Sequence, residues 1–317
     1  MDFNNSFKIL STSHVHCVSQ EKFDLLYQSG LKHFALSNYY PSKPYYPLTE
    51  YFTVPSDVID TPNAEHHDMF NDGVRIGSLH VNSLGSTFVS NPDGVKGQGV
   101  LEEWKTAFDK MLEQLKYDDG GGITINHPTW TNTFGHININ NFVYELLDYD
   151  HRVLGIEIFN ETCNTNEARP NTGWALDLWD RILNTGRKCW GFAVPDHDVN
   201  GRNVLLTRSR DEHTCLKAYR DGAFYCKIGQ SDLEFTNIKL VDNVLNVETN
   251  NATSIHVVIN GSKSSYSGSS CSVDIPQSAR YVRIEAHTTD DSLFSNPIIL
   301  KEYNPKNIRK RNKLIWY

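Results

Sequence analysis

The sequence predicts an α/β protein in which a β/α barrel is followed by a small antiparallel β-sandwich. Strand-like and helix-like segments alternate as far as about residue 228, and short β-rich segments separated by turns follow from about residue 230. Histidines and carboxylates recur where the strands of the first part end. The 317 residues suffice for one barrel and a small second domain.

The elements of the first part are read from apolar periodicity and from helix-ending glycines. Phe7–Leu10 predicts a strand, and Glu21–Ser29 predicts a helix that ends at Gly30. The clearest amphipathic helix spans residues 101–115, and residues 41–64, rich in Pro and Tyr, predict a long excursion. Further strands are expected at His33–Ser37, Arg75–Leu79, Ile123–Asn126, Leu154–Phe159 and Cys189–Val194, and further helices at Phe142–Leu147, Trp174–Asn184 and Glu212–Arg220.

The C-terminal part predicts short antiparallel strands, with turns such as Asn260-Gly261 between them. We therefore expect a hydrolase barrel at 1–228, a β-sandwich accessory domain at 229–304 and a basic tail at 305–317. The strands are expected at Phe235–Val241, Val244–Val247, Ser254–Ile259, Ser272–Ile275 and Tyr281–Ala286.

Composition indicates an ordinary soluble globular protein, with 39% hydrophobic and 21% charged residues. The net charge of −8 and the pI of about 5.9 argue against nucleic-acid binding. No apolar run is long enough for a membrane span, and the N-terminus lacks the pattern of a signal peptide. The six cysteines include no CxxC pair, so we expect reduced thiols in a cytoplasmic protein, with Cys17 a buried and inert one.

Five polar groups carry the candidate chemistry, and four of them follow predicted strands. Because the carboxyl ends of barrel strands share one face, these groups are expected to converge there. Imidazole and carboxylate together suit zinc, manganese or iron. Taken singly, each group is also common as a structural feature without a metal. His66 or His67 is an alternative ligand if one of the others is misassigned. The groups are His14-Val15-His16, Glu65-His66-His67, His80, His127 and Asp196-His197-Asp198.

Taken together, several motifs resemble the PHP family, named for polymerase and histidinol phosphatase, and especially its bacterial PHP-like phosphoesterases. They are STSHVHC, PNAEHHD, LHVNSLGS, INHPTW, GIEIFN and WDRILNTGRKCWGFAVPDHD, within about residues 8–228. The resemblance implies a distorted seven-stranded, TIM-like barrel with two or three metal ions. It implies one ion on His14, His16, Glu65 and Asp196, and a second that shares Glu65 and adds His80 and His127.

The chain departs from the family pattern at the third metal. Residues 17–22 contain no histidine, Ser37-Asn38-Tyr39 replaces Thr-Asp-His, and Asp198 replaces the last histidine. We therefore expect two divalent ions, with a weaker third site on His197 and Asp198 as the alternative.

His197 and Asp198 are the candidate catalytic residues. His197 is expected to donate a hydrogen bond or a proton, or else only to orient the neighbouring carboxylates. Glu157 and Asn160 are expected at the site wall and Trp130 and Tyr39 at its rim, with core packing as the other interpretation of all four.

The leading hypothesis is hydrolysis of a small phosphorylated substrate by a metal-activated water. An amide or ester hydrolase on the same centre, and a metal-binding protein without activity, are the alternatives. The substrate, the native metal and the oligomeric state remain open.

Overall fold

The computed structural model describes residues 3, 5–39, 41–71, 76–90, 101–130, 139–166 and 172–301, so the predicted basic tail lies outside the described residues. Strands β1–β18 are Phe7–Val15, His33–Leu36, Ile59–Asp60, Glu65–Asn71, Ile76–Leu84, Gly122–Ile125, Val153–Asn160, Trp190–Val194, Gly201–Thr207, Phe224–Ile228, Phe235–Val241, Val244–Thr249, Ser254–Ile259, Ser262–Ser267, Ser270–Asp274, Tyr281–His287, Ser292–Ser295 and Ile298–Ile299. Helices α1–α6 are Gln20–Gln28, Leu101–Glu113, Ile139–Leu147, Glu161–Thr165, Leu176–Asn184 and Glu212–Asp221, and a 3₁₀ turn covers Leu48–Glu50.

The strands form three sheets. A ten-stranded sheet has the order β14-β13-β16-β17-β10-β9-β1-β2-β3, with β18 added beside β16. A five-stranded sheet has the order β4-β5-β6-β7-β8, and β11-β12-β15 form a three-stranded sheet. The described helices are short, and none of them combines the length and the apolar character that a membrane span requires.

The predicted TIM-like β/α barrel is wrong: the described strands lie in three sheets, and no strand ladder closes a barrel among them. Parallel ladders hold only for β1-β2, β2-β3, β6-β7 and β7-β8 within the described residues, beside one isolated parallel bridge between Val15 and Asp196. A parallel pair requires a long crossover, but β4 and β5 are joined by residues 72–75 alone and pair as an antiparallel hairpin. Likewise β9 follows β8 without a helix and pairs antiparallel with β1 and β10.

The predicted C-terminal sandwich shares one of its sheets with the N-terminal part of the chain. Its strands are present near the expected positions, but β17 pairs with β10, so β13, β14 and β16 extend the same sheet that contains β1. The three-stranded sheet packs on a face of that large sheet, and the shared core includes Val204 of β9 and Tyr225 of β10 as well as C-terminal residues. The domain boundary itself stays a prediction.

Helices α2 and α5 pack against the five-stranded sheet, and their apolar side chains are buried there. Trp104 and Phe108 of α2 and Trp179 and Ile182 of α5 are almost fully buried in one core with the strands, among them Ile156. Removing such large apolar side chains from water is the main favourable contribution to this packing.

Hydrogen bonds outside the strand ladders join the two large sheets. His16 N donates to the carbonyl of Asp196 at 2.9 Å, and Asp196 N donates to the carbonyl of His14 at 3.2 Å. Further along, the Asn203 amide donates to the Ala193 carbonyl and accepts from the Ala193 N–H, both at 3.1 Å. We call this contact between β1, β8 and β9 the seam.

Replacing Asn203 with Ala is expected to lower the free energy of unfolding by about 2–3 kcal/mol, because two buried hydrogen bonds across the seam are lost. Urea denaturation measures this loss. The matched control is Asn251→Ala at an exposed position, where the loss is expected below about 0.5 kcal/mol. Equal losses in both variants contradict a stabilising role for the seam amide.

His33 predicts an acid-dependent loss of stability. It is fully buried in β2, its Nδ1 lies 2.7 Å from Ser11 Oγ, and burial lowers its pKa to about 3. The unfolded chain, with a histidine pKa of about 6.5, binds the proton more readily, so stability falls as the pH drops from about 6.5 towards 3. The slope from this one group is at most about 1.4 kcal/mol per pH unit.

His33→Gln is therefore expected to flatten the dependence of unfolding free energy on pH between about pH 6 and 4. Denaturant titrations of wild type and variant at several pH values measure the difference. Parallel curves for the two proteins speak against a neutral buried His33.

Candidate metal centre

The six predicted ligands come together at the seam, although not all at carboxyl ends of strands. His14 lies in β1, His16 follows that strand, and His127 and Asp196 follow β6 and β8. Glu65, in contrast, is the first residue of β4, and His80 lies within β5. Because β4 and β5 run antiparallel, the start of one strand reaches the same place as the second half of the other.

Glu65 is at the middle of the cluster, and its two carboxylate oxygens face different histidines. Oε2 lies 3.5 Å from His14 Nε2 and 3.1 Å from His16 Nε2. Oε1 lies 2.9 Å from His80 Nδ1 and 3.5 Å from His127 Nε2. A carboxylate with this surrounding is suited to bridge two cations, one on each side.

Asp196 completes the first of the two groups. Its Oδ1 lies 3.5 Å from His14 Nε2 and 3.2 Å from His16 Nε2, and those two nitrogens are 3.2 Å apart. Donor atoms about 2.0–2.1 Å from a tetrahedrally coordinated ion lie about 3.3–3.4 Å from one another. The two histidine nitrogens therefore lie at ligand-like separations of 3.1–3.5 Å from each other, from Glu65 and from Asp196, and Asp196 also forms a group with His16 and His197.

The charge of the cluster also fits a cation. Glu65, Glu157 and Asp196 are buried, and within the described residues their ionic partners are histidines, with no Lys or Arg among them. Burial opposes charge on His14, but Asp196, Glu65 and Glu157 outweigh it and raise the pKa of this histidine well above its usual value. Buried carboxylates of this kind are stable when they are paired or bind metal, so this donor set suits divalent ions.

Three side chains behind the ligands fix their orientation. Glu157 Oε1 lies 2.6 Å from His14 Nδ1, which leaves Nε2 of that ring directed at the cluster. Asn160 Nδ2 donates to Glu157 Oε2 at 3.0 Å and to Asp196 Oδ2 at 3.1 Å. Asn126 Nδ2 donates to Glu65 Oε1 at 2.9 Å. Such partners behind the ligands commonly set ligand geometry and metal affinity.

Two of the predicted ligands adopt an uncommon backbone conformation. His127 has φ of 24° and Asp196 has φ of 58°, and neither residue is a glycine. Left-handed conformations of this kind cost on the order of 1–3 kcal/mol and cluster at functional sites. Here they turn the chain directly after β6 and β8 and keep both side chains at the cluster.

His197 lies at the cluster, whereas Asp198 turns away from it. The His197 ring stacks on His16 with centroids 4.4 Å apart, its Nε2 lies 3.5 Å from Asp196 Oδ1, and half of its side chain is exposed. Asp198 Oδ2 instead accepts hydrogen bonds from Thr162 and Thr165 of α4, at 3.1 and 3.4 Å. The catalytic role predicted for either residue stays a prediction.

Aromatic rings surround the ligands. Tyr39 meets His16 edge-on at 4.6 Å and His67 at 5.3 Å between ring centroids, and Trp130 lies 5.6 Å from His80 and 5.3 Å from His127. We call Tyr39, His67 and Trp130 the aromatic rim. His66, the other alternative ligand, is buried on the opposite face between Ser83 and Ser90.

The sequence interpretation missed Asn126 and Lys22. Asn126 directly precedes His127 at the end of an apolar strand, and an amide at such a position is a usable signal. Lys22 of α1 donates to the carbonyls of His197 and Asp198, at 2.8 and 3.0 Å, and so holds the turn after β8. Nothing local in the sequence indicates that long-range contact. Cys17 is buried, and burial raises its pKa to about 11, as suits an inert thiol.

Comparisons with known proteins leave the assignment to the residues themselves. No protein-family model and no curated protein matches the chain. A solved structure that aligns with it is that of a two-domain protein containing a predicted PHP-like metal-dependent phosphoesterase from Bacteroides vulgatus. The two chains share 12% identity over 95% of this chain and 97% of that one, with a TM-score of 0.44.

Asp196→Asn is expected to reduce bound metal, because one negatively charged ligand is removed from the first group. Asp198→Asn is the matched control. The carboxylate of Asp198 accepts a hydrogen bond from α4, so this substitution is expected to leave the metal content unchanged. Elemental mass spectrometry of both purified variants after loading with Mn²⁺ or Zn²⁺ makes the comparison. Full metal content in Asp196→Asn would remove this residue from the ligand set.

Proposed function

We propose that the chain is a PHP-like phosphoesterase that hydrolyses a small phosphorylated substrate with two divalent ions. The observation that carries the proposal is the position of Glu65, with one carboxylate oxygen toward each of two histidine pairs. Paired metal sites of this kind recur in enzymes that transfer phosphoryl groups.

One ion would be held by His14, His16, Glu65 and Asp196, and the other by Glu65, His80 and His127. When bound, such ions lower the pKa of water and neutralise charge on a transferring group. Zinc, manganese and iron all suit this mixture of imidazole and carboxylate. We propose two ions at this centre: Asp198 bonds to α4, and His197, which together with His16 and Asp196 forms a further group of possible ligands, is assigned to the substrate instead.

The remaining residues of the site would bind and orient the substrate. His197 is half exposed and directly above His16, where its ring N–H is available to a phosphate oxygen or to the leaving group. Lys22 and Thr162 hold the backbone of His197, and this limits the freedom of the ring. The aromatic rim would exclude water from one side of the substrate and contact its organic part.

The phosphate ester is preferred over an amide or carboxyl ester because His197, half exposed and stacked on His16, offers a ring N–H to a bound group. A phosphoryl group carries more negative charge than an acyl group and gains more from such donors.

The proposal predicts metal-dependent hydrolysis of p-nitrophenyl phosphate or of bis-p-nitrophenyl phosphate, abolished by EDTA and restored by Mn²⁺ or Zn²⁺. His197→Ala is expected to lower kcat by about 10²-fold, because a positioned donor is lost while the metal ligands remain. Its matched control is His213→Ala, a partly exposed histidine paired with Asp119, for which kcat is expected to stay unchanged.

The substrate panel includes p-nitrophenyl acetate and an aryl amide. Turnover of these compounds alone would replace the proposal with an amide or ester hydrolase on the same residues. Full metal loading without any turnover would replace it with a metal-binding protein that lacks activity.

A further inference from the structure

A second group of possible ligands lies in the C-terminal strands, outside the centre described above. His256 of β13 stands directly opposite Glu285 of β16, and His287 follows Glu285 by two residues. Side chains two residues apart on one strand, and opposite across a strand pair, project from the same face of a sheet. The three ligand atoms all lie within 4.8 Å of one another.

The distances within this group suit ligands of one metal ion and are longer than the other ion pairs of Glu285. His256 Nδ1 and His287 Nε2 lie 3.4 and 3.5 Å from the same oxygen, Glu285 Oε2. Tetrahedral ligands about 2.0–2.1 Å from an ion have separations of about 3.3–3.4 Å. The shorter ion pairs of Glu285 are those of Oε1 with the Arg283 guanidinium and of Oε2 with Lys263 Nζ, both at 2.6 Å.

The surroundings of His287 support the same interpretation. Its Nδ1 lies 2.9 Å from Ser292 Oγ, and Nε2 is buried without a hydrogen-bond partner in the described part of the chain. If Nδ1 donates its hydrogen to the serine hydroxyl, Nε2 presents a lone pair toward Glu285. A histidine held in this way by a partner at its other nitrogen is the usual arrangement of a metal ligand.

The cations around Glu285 orient it and still leave it able to accept a further ligand. The Arg283 guanidinium donates hydrogen bonds both to Glu285 Oε1 and to Asp180 of α5, so it fixes the Glu285 carboxylate relative to that helix. Lys263 takes one position on Oε2, but a carboxylate offers about four acceptor positions. Lys263 is 45% exposed and its ammonium can move into solvent.

We propose that His256, Glu285 and His287 form a transition-metal site that binds Zn²⁺, with Lys263 as a competing cation. Bound metal ties β13 to β16 beside the contact of Arg283 with α5. The fourth position of a tetrahedral ion is open to water, and the site is separate from the proposed hydrolase centre and independent of it.

The first test is Zn²⁺ content of the full chain by elemental mass spectrometry after equilibration and removal of free metal. The double substitution His256→Ala with His287→Ala is expected to lose one Zn²⁺ per chain and to keep phosphoesterase activity. The matched control changes His151 and His213 to Ala, two partly exposed histidines that also face carboxylates. It is expected to lose none, and unchanged Zn²⁺ content in the His256/His287 variant overturns the proposal.

Two further variants keep all three ligands and shift the affinity in opposite directions. Ser292→Ala is expected to weaken Zn²⁺ binding at this site by about tenfold or more, because His287 loses its orienting partner. Lys263→Met is expected to tighten binding, because the competing charge is gone. Titrations in a Glu65→Gln background isolate this site from the hydrolase centre, and circular dichroism verifies the fold. Weaker or unchanged binding in Lys263→Met contradicts the assignment.

Discussion

Buried negative charge at Glu65, Glu157 and Asp196 is the constraint on which the arrangement of this protein depends. Three carboxylates withdrawn from water destabilise a fold unless cations compensate them, and within the described residues their ionic partners are histidines, while Asn126 and Asn160 add neutral hydrogen bonds. Divalent ions would compensate this buried negative charge better than protons on the histidines do, because several ligands share a single ion. Under the proposed function, binding of metal would therefore add to the stability of the fold.

The seam explains why the ligands come from both large sheets. Backbone hydrogen bonds between His16 and Asp196 join the end of β1 to the turn after β8, at the place where the carboxylates and imidazoles meet. The Asn203 amide continues the junction along β9. Charge compensation and the joining of the sheets therefore occur at one place, and ligand geometry depends on contacts that are distant in sequence.

The sequence allowed most element positions and the residues that gather at the candidate centre to be predicted, but not the way in which the strands pair. His14 and His127 stand out because they adjoin clear apolar strands. The strand that begins at Glu65 is polar at its start and carries no strand signal, and β9 and β10 were not predicted at all. Without them, alternating strands and helices indicated parallel pairing. The direction of the Asp198 side chain depends on Thr162 and Thr165, a contact that no local pattern reveals.

The ladder between β10 and β17 has a consequence for how this chain can be divided or recombined. Tyr225 through Ile228 pair with residues 292–295, so the C-terminal strands supply hydrogen-bond partners for the β10 edge of the sheet. A fragment that ended near residue 230 would present that edge bare, two strands away from β1. Open edges of this kind recruit other chains and cause aggregation. The C-terminal region thus protects this edge, and the part that carries the candidate metal centre needs a substitute strand before it is transplanted as a free-standing module.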